Sequence, residues 1–137
     1  MNILVTGGAG FIGSHTVVEL YNAGYSPVII DDLSNSNKSA LGGIKNILGV
    51  DIPFYQEDCN NYSVVDVIIK KHSIEWVIHF AAFKAVGESV EEPLKYYENN
   101  IGSLLNMLLL MEGNKVRNLV FSSSCTVYGE PDAIPVT

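Results

Sequence analysis

With 137 residues, 47% of them apolar and 17% charged, the chain has enough hydrophobic material for a packed core and too much for a disordered segment. Eight basic residues against fifteen acidic ones give a net charge of −7, with no basic cluster. Neutralising a phosphate backbone needs concentrated Lys and Arg, so the expectation is no nucleic-acid partner and no anionic membrane surface.

The chain opens on a short apolar run, Ile3-Leu4-Val5, of the length of a buried parallel strand. It stops at a glycine-rich turn, and residues 11–23 read as a helix. Gly7, Gly10 and Gly13 are spaced G-x-x-G-x-x-G. Around a pyrophosphate, one glycine permits the tight turn, one lets the backbone approach the phosphates, and one lets the helix pack closely on the strand. The helix N-terminus adds unbonded N–H groups and the positive end of its dipole. A glycine triad alone is a weak signal; a strand before it and a helix after it turn it into a dinucleotide-binding expectation.

Gly24 stops the helix, and residues 27–31 form the second strand. Asp31 ends that strand about 20 residues past the glycine turn, where a carboxylate meets an adenosine ribose in folds of this kind. It can accept hydrogen bonds from both ribose hydroxyls and would repel a 2′-phosphate, so NAD is favoured over NADP. Asp32 reinforces the negative field. Residues 33–40, rich in Ser and Asn, read as a loop, and 41–48 as a short helix weakened by Gly42 and Gly43. The third strand, 53–56, runs into Glu57-Asp58-Cys59. A carboxylate there shares a rim with Asp31 and can accept a hydrogen bond from an adenine amino group; N-capping of the next helix by Asp58 or Asn60 is the alternative.

Residues 64–71 carry a helical apolar face, and 76–80 form the fourth strand, apolar apart from His79. A histidine in such a run reads as a hydrogen-bonded core residue rather than a catalyst, and His15 inside the first helix reads the same way. After the fourth strand, Ala81-Ala82-Phe83-Lys84-Ala85 offers small residues past which a cofactor can run close to the backbone. Lys84 is the one positive charge in this stretch, a donor for a pyrophosphate or a nicotinamide ribose. Pro93 opens a long helix whose Leu104, Leu105, Leu108 and Leu109 form a stripe expected in the core. Asn99 and Asn100, near its start, can reach a cofactor or bond to backbone. The last strand, 119–122, leads into S-S-S-C-T-V-Y-G at 122–129.

Alternating strands and helices predict an α/β fold, a Rossmann-type doubly wound parallel sheet of about five strands with its ligand at the C-terminal strand ends. Cys59 and Cys125 lie outside any C-x-x-C or zinc spacing and read as reduced thiols packed in a cytoplasmic protein. Met1 leads directly into the first strand without a secretory leader, no metal site is expected, and the apolar helix at 101–111 is too short to cross a bilayer.

With these residues assembled, the chain resembles the extended short-chain dehydrogenase/reductase superfamily and, within it, the UDP-glucose (UDP-galactose) 4-epimerase family. The matching segments are T-G-G-A-G-F-I-G-S-H-T-V-V-E-L at 6–20, D-D-L-S-N-S at 31–36, H-F-A-A-F-K-A-V-G-E-S at 79–89, P-L-K-Y-Y-E-N-N at 93–100 and F-S-S-S-C-T-V-Y-G at 121–129. The glycine motif belongs to the whole superfamily; K-A-V-G-E-S and S-S-S-x-T-V-Y-G point to the epimerases.

The resemblance implies a set of NAD contacts. Phe11 and Ile12 would offer backbone groups to the pyrophosphate. Asp31, Asp32, Leu33, Ser34, Asn35 and Ser36 would hold the adenosine ribose and its flank, and Asp58 and Cys59 would border the adenine. Phe80, Ala81, Ala82, Phe83 and Lys84, with Asn99 and Ser122, would follow the cofactor toward the nicotinamide. Ser124 would be a catalytic residue, hydrogen-bonded to substrate and to a catalytic tyrosine, and Thr126 would bind substrate. In such enzymes NAD stays bound and UDP-galactose and UDP-glucose interconvert through a 4-keto sugar. A tyrosine of a Y-x-x-x-K motif, its phenolate favoured by nearby positive charge, takes the proton from the sugar 4-hydroxyl.

The chain departs from the family in having no Y-x-x-x-K: four residues after Tyr128 stands Asp132. In the family that motif and the substrate domain follow the segment matched here. The expectation is therefore an incomplete, N-terminal NAD-binding domain over residues 1–137. By itself it would be inert, and its uncovered surfaces would favour association; the full-length protein would be a homodimer formed partly through residues 101–111. The alternatives are a dehydratase or decarboxylase of the same superfamily, or a non-catalytic NAD-binding remnant.

Overall fold

Period-two alternation in the first strand decides the architecture. In the computed structural model, which describes residues 1–124, 127 and 129, β1 (Asn2–Thr6) sends Ile3 and Val5 to one face and Leu4 and Thr6 to the other. All four are closed to solvent, as in a strand covered on both sides. β2 (Ser26–Ile30), β3 (Phe54–Tyr55), β4 (Trp76–His79) and β5 (Asn118–Phe121) complete an all-parallel sheet in the order β3-β2-β1-β4-β5. The doubly wound α/β sheet expected from the sequence is present.

Two cores flank it. On one face Ile3, Val5 and Ile29 pack with Val17 of α1 (Phe11–Asn22) and Ile44 of α2 (Ser39–Leu48). On the other, Leu4, Val28, Ile30 and Val77 meet Val65, Ile68 and Ile69 of α3 (Tyr62–Lys71) and Met107, Leu110 and Met111 of the last helix. Each such aliphatic side chain, taken fully out of water, contributes roughly 1.5–3 kcal/mol before entropy is counted.

The polypeptide after β4 differs most from expectation. A short helix, α4 (Val86–Glu91), precedes Pro93, and the long helix is broken into α5 (Pro93–Tyr96), a π-helical turn (Tyr97–Ile101) and α6 (Gly102–Gly113). The stripe expected in the core also turns outward. Leu105, Leu108 and Leu109 are exposed, and Ser103, Met107, Leu110 and Met111 face inward. A helix apolar nearly all round carries no periodicity that selects its buried face.

Smaller differences have local causes. β3 is two residues long, although the Ile29 N–H still donates to the Pro53 carbonyl at 2.8 Å. Pro53 has no N–H to return, which is tolerable because β3 is an edge strand. Neither Asp58 nor Asn60 caps α3. Asn61 occupies the N-cap, but its side chain donates to Glu57 instead of capping the helix, while the Asp58 carboxylate accepts the Asn60 N–H at 2.8 Å. α2 starts two residues early at Ser39 and ends at Gly49, whose φ of +72° lets its N–H return to the Lys45 carbonyl.

Candidate active-site rim

Strand register puts the candidate residues on one edge. Thr6 is opposite Ile30 on one side and His79 on the other, His79 is opposite Phe121, and Ile30 is opposite Tyr55. The ladder runs one residue further: the N–H groups of Gly7, Asp31, Phe80 and Ser122 donate to the carbonyls of Ile30, Tyr55, Thr6 and His79 at 2.8–3.2 Å. Gly7, Asp31, Phe80 and Ser122 therefore begin the rim together, at the C-terminal strand ends where ligands bind in such sheets.

The three glycines divide the work as the spacing suggests. Gly7 has φ +67°, and a Cβ there would come within 2.9 Å of the Ala81 nitrogen. A Cβ at Gly13 would fall on the Gly7 carbonyl oxygen, so this glycine lets α1 close onto the loop. Gly10 is different: its Cβ would meet only the Gly7 oxygen, at 3.2 Å, so its surroundings are otherwise open. The loop leads into the first turn of α1, whose leading N–H groups have no intrahelical acceptor. Phe11 and Ile12 are 80% and 55% exposed there, leaving the approach clear. An open glycine before a helix N-terminus fits a pyrophosphate.

Asp31, 7% exposed, does more than end a strand. Its Oδ2 accepts the Ala9 N–H at 2.9 Å, and Oδ1 accepts the Leu33 N–H at 3.0 Å and the Ser36 hydroxyl at 2.7 Å. One carboxylate thus ties the glycine loop to residues 31–36 and steadies Leu33 at φ +63°, a left-handed conformation unusual for leucine. Asp32 makes its own turn, accepting the N–H and hydroxyl of Ser34 at 3.0 and 2.7 Å. Asp32, Ser34 and Asn35 are exposed on the rim. Asp58 is exposed as well, while the Cys59 side chain lies in the core. Burial, reinforced by the Asp58 charge, pushes its thiol up to about 12, so it stays protonated. The Cys59 carbonyl accepts from Asn106 Nδ2 at 2.5 Å.

Beneath the rim, Thr6 Oγ1 lies 2.8 Å from His79 Nδ1 and accepts the Ala81 N–H at 3.3 Å. His79 is the core residue expected, its imidazole pushed down to about 4 by burial and therefore neutral. His15 is not: it sits exposed on α1, 2.8 Å from the Phe11 carbonyl, because its position faces away from the sheet. Phe80, Ala81 and Phe83 are half-buried; Ala82 and Lys84 are exposed. Nor is Lys84 the one cation of this region, since Lys95 Nζ stands 5.2 Å from the Phe83 ring centroid. Asn99 is half-buried and donates to Asn100 Oδ1 at 2.9 Å. Ser122 and Ser124 are exposed at the end of β5, and Cys125, Thr126 and Tyr128 lie outside the described residues.

Two residues of this rim escape a reading of the motifs. Ala9 contributes through its N–H and Thr6 through a hydroxyl that strand parity places beside His79. Asn100 takes the backbone alternative expected of it, bonding Phe83 at both N–H and carbonyl. Among the described residues no group of three acidic, His or Cys side chains is placed to hold a metal ion, and no helix is long and apolar enough to cross a membrane.

Comparison with known proteins agrees with this geometry. The family model described as "NAD dependent epimerase/dehydratase family" matches residues 3–137. A UDP-glucose 4-epimerase of Dictyostelium discoideum is 54% identical over 135 residues, covering 98% of this chain and 39% of the relative. Two crystal structures superpose with a TM-score of 0.94. One is a UDP-glucose 4-epimerase of Stenotrophomonas maltophila with bound NAD and formylated UDP-arabinopyranose, 46% identical over 99% of this chain and 40% of that one. The other is a UDP-glucose 4-epimerase of Bifidobacterium longum in complex with NAD+ and UDP, 44% identical over 100% of this chain and 41% of that one. The chain spans about two fifths of the length of these relatives.

Proposed function

From the premise that this chain belongs to the NAD dependent epimerase/dehydratase family, we propose that it is the cofactor-binding part of a UDP-glucose 4-epimerase. The whole protein interconverts UDP-galactose and UDP-glucose through a 4-keto sugar, in galactose metabolism. The observation that carries this reading is the joint between the glycine loop and Asp31. An open Gly10 at a helix N-terminus stands beside a carboxylate bonded to the Ala9 N–H, with two relatives of the same fold holding NAD.

Each residue has a role in that reading. The first N–H groups of α1, from Phe11 and Ile12, bind the pyrophosphate. Asp31, with residues 32–36, orients the adenosine ribose, and its charge disfavours a 2′-phosphate. Asp58 and the Cys59 backbone border the adenine. Phe80, Ala81, Ala82, Phe83, Lys84, Asn99 and Ser122 line the path toward the nicotinamide. When bound, NAD supplies a reversible hydride acceptor. Ser124, at the exposed end of β5, orients the sugar hydroxyl for proton removal, and Thr126 adds a substrate contact. The protein acts in the cytoplasm on nucleotide sugars, without nucleic acid or membrane as partner.

We further propose that the whole protein is a homodimer. Val86, Val90, Leu94, Tyr97, Ile101, Leu105 and Leu108 recur every three or four residues along α4 to α6, and each is 44–80% exposed. Exposed apolar side chains on successive helices in this way suit an association surface.

The test is conversion of UDP-galactose to UDP-glucose by the protein that carries this segment, with product identified by chromatography. Interconversion supports the epimerase; a dehydrated or decarboxylated product, or tight NAD binding without turnover, overturns it in favour of a sister enzyme or a binding protein.

A further inference from the structure

Lys84 lies on a stretch of backbone that is neither helix nor strand, yet the peptide groups on both sides of it are held. Asn100 Oδ1 accepts the Phe83 N–H at 2.8 Å, and Asn100 Nδ2 donates to the Phe83 carbonyl at 2.9 Å. One carboxamide therefore satisfies both polar groups of one residue, as a neighbouring strand would. Beyond the lysine, the Tyr96 hydroxyl oxygen accepts the Ala85 N–H at 3.1 Å and its O–H donates to Glu88 Oε2 at 2.7 Å. Glu88 is itself fixed by Lys95, 2.5 Å from Oε1. The Tyr96 and Phe83 rings stand 5.7 Å apart, closing the arrangement.

The π-helical turn makes this possible. Consecutive side chains of an α-helix point about 100° apart and do not serve one target. Here the turn holds an extra residue, so that the Gly102 N–H points back as far as the Tyr97 carbonyl. Asn100 then reaches Phe83, and Asn99 Nδ2 donates to Asn100 Oδ1 at 2.9 Å. Wide turns of this kind recur at functional sites.

We propose that Asn100, seconded by Tyr96, is a positioning residue that fixes the backbone on either side of Lys84 and so delivers the lysine ammonium to the anionic linkage of the bound dinucleotide. This rests on the NAD reading given above. A lysine side chain loses much rotamer freedom when it holds an anion, and a wandering backbone would add to that cost; a clamped one lowers it. Asn100 need not touch the cofactor to act. Its effect passes through Phe83 to Lys84, and through Asn100 Oδ1 to the orientation of Asn99.

The test is a double-mutant cycle on the full chain, read as dissociation constants for NAD and for adenosine, which has no phosphate. Asn100→Ala and Lys84→Ala are each expected to weaken NAD about tenfold, and the double variant no further than about twofold beyond Lys84→Ala. Adenosine affinity stays the same throughout, which also reports that the variants are folded. The salt dependence of NAD affinity should fall equally in both single variants, a change that loss of packing alone would not produce. Tyr96→Phe, the gentler substitution, is expected to speed hydrogen exchange at the Ala85 amide and weaken NAD by about two- to threefold. Multiplying effects of the two substitutions, an equal loss for adenosine, or NAD affinity unchanged by Asn100→Ala overturns the positioning role and leaves the NAD reading standing. A parent chain that binds no NAD overturns both.

Discussion

Thr6 Oγ1 and His79 Nδ1 meet at 2.8 Å at the ends of two adjacent central strands, with the two residues 0% and 2% exposed. The imidazole is taken out of water with one nitrogen bonded, while Nε2 has no partner among the described residues. Burial holds it neutral: its pKa falls from the usual 6.5 to about 4.

That shift makes stability depend on pH with a definite sign. The unfolded imidazole takes up a proton near pH 6.5 and the folded one only near 4. The stability is complete above pH 6.5, is lost as pH falls from 6.5 toward 4, and changes no further below that on account of this residue. Between pH 7.5 and 4.5 the loss from His79 alone is roughly 2–3 kcal/mol. His79→Asn keeps a polar atom near the Nδ1 position and abolishes the titration. Urea denaturation at the two pH values should show the parent losing that much more than the variant; equal losses would refute the assignment.

Gly13 and the pair Gly42–Gly43 test opposite sides of one argument. A methyl at Gly13 falls on the Gly7 carbonyl oxygen and 2.9 Å from the Gly8 Cα, so α1 must move off the loop. Gly13→Ala is expected to cost about 2–3 kcal/mol and to abolish NAD binding. At Gly42 and Gly43, inside α2, a Cβ meets nothing within 4 Å. Alanine at either should stabilise by roughly 0.5–1 kcal/mol, because glycine loses the most backbone freedom in a helix. Thermal melts of the three variants decide it, and a stable Gly13→Ala would remove the close-packing role.

How far the sequence reaches follows from which forces are local. β1, the glycine loop and α1 are legible because each residue's task there is set by its neighbours: an apolar run, a turn needing φ above zero, a helix start. Asp31 at the rim is legible by spacing, but its bonds to Ala9 and Ser36 are not, since they depend on how two turns fold onto each other. The buried face of α6 is hidden because nearly every position is apolar, and the outward turn of Leu105 and Leu108 is settled by α3 and the sheet. The wide turn at Tyr97–Ile101 has no composition signal at all. A pair of asparagines near a helix start was the one visible trace of it.

Asp31 is expected to resist its most conservative replacement. Its two oxygens accept on separate sides, Oδ2 from Ala9 and Oδ1 from Leu33 and Ser36. An asparagine has one acceptor oxygen, so either orientation points an amide N–H at a backbone N–H that must be bonded. Asp31→Asn should therefore cost nearly as much as Asp31→Ala, about 2–3 kcal/mol in each case, and both should weaken NAD binding. Urea midpoints give the comparison. An Asp31→Asn variant within about 0.5 kcal/mol of the parent would mean the carboxylate is not the tie between the loops.

The exposed stripe on α4 to α6 makes the last prediction. Ile101 and Leu105 are 57% and 55% exposed, one helical turn apart, toward the C-terminal end of the set running from Val86 to Leu108. If a second copy covers this set, carboxylates placed there would be buried against apolar side chains and against their own symmetry mates. Desolvation and like-charge repulsion would then both oppose association. Ile101→Glu combined with Leu105→Glu should convert a dimer to a monomer in sedimentation velocity while leaving the far-ultraviolet circular dichroism unchanged, since glutamate is a good helix former. A parent that sediments as a monomer, or a double variant that stays dimeric, would assign the stripe to some other contact.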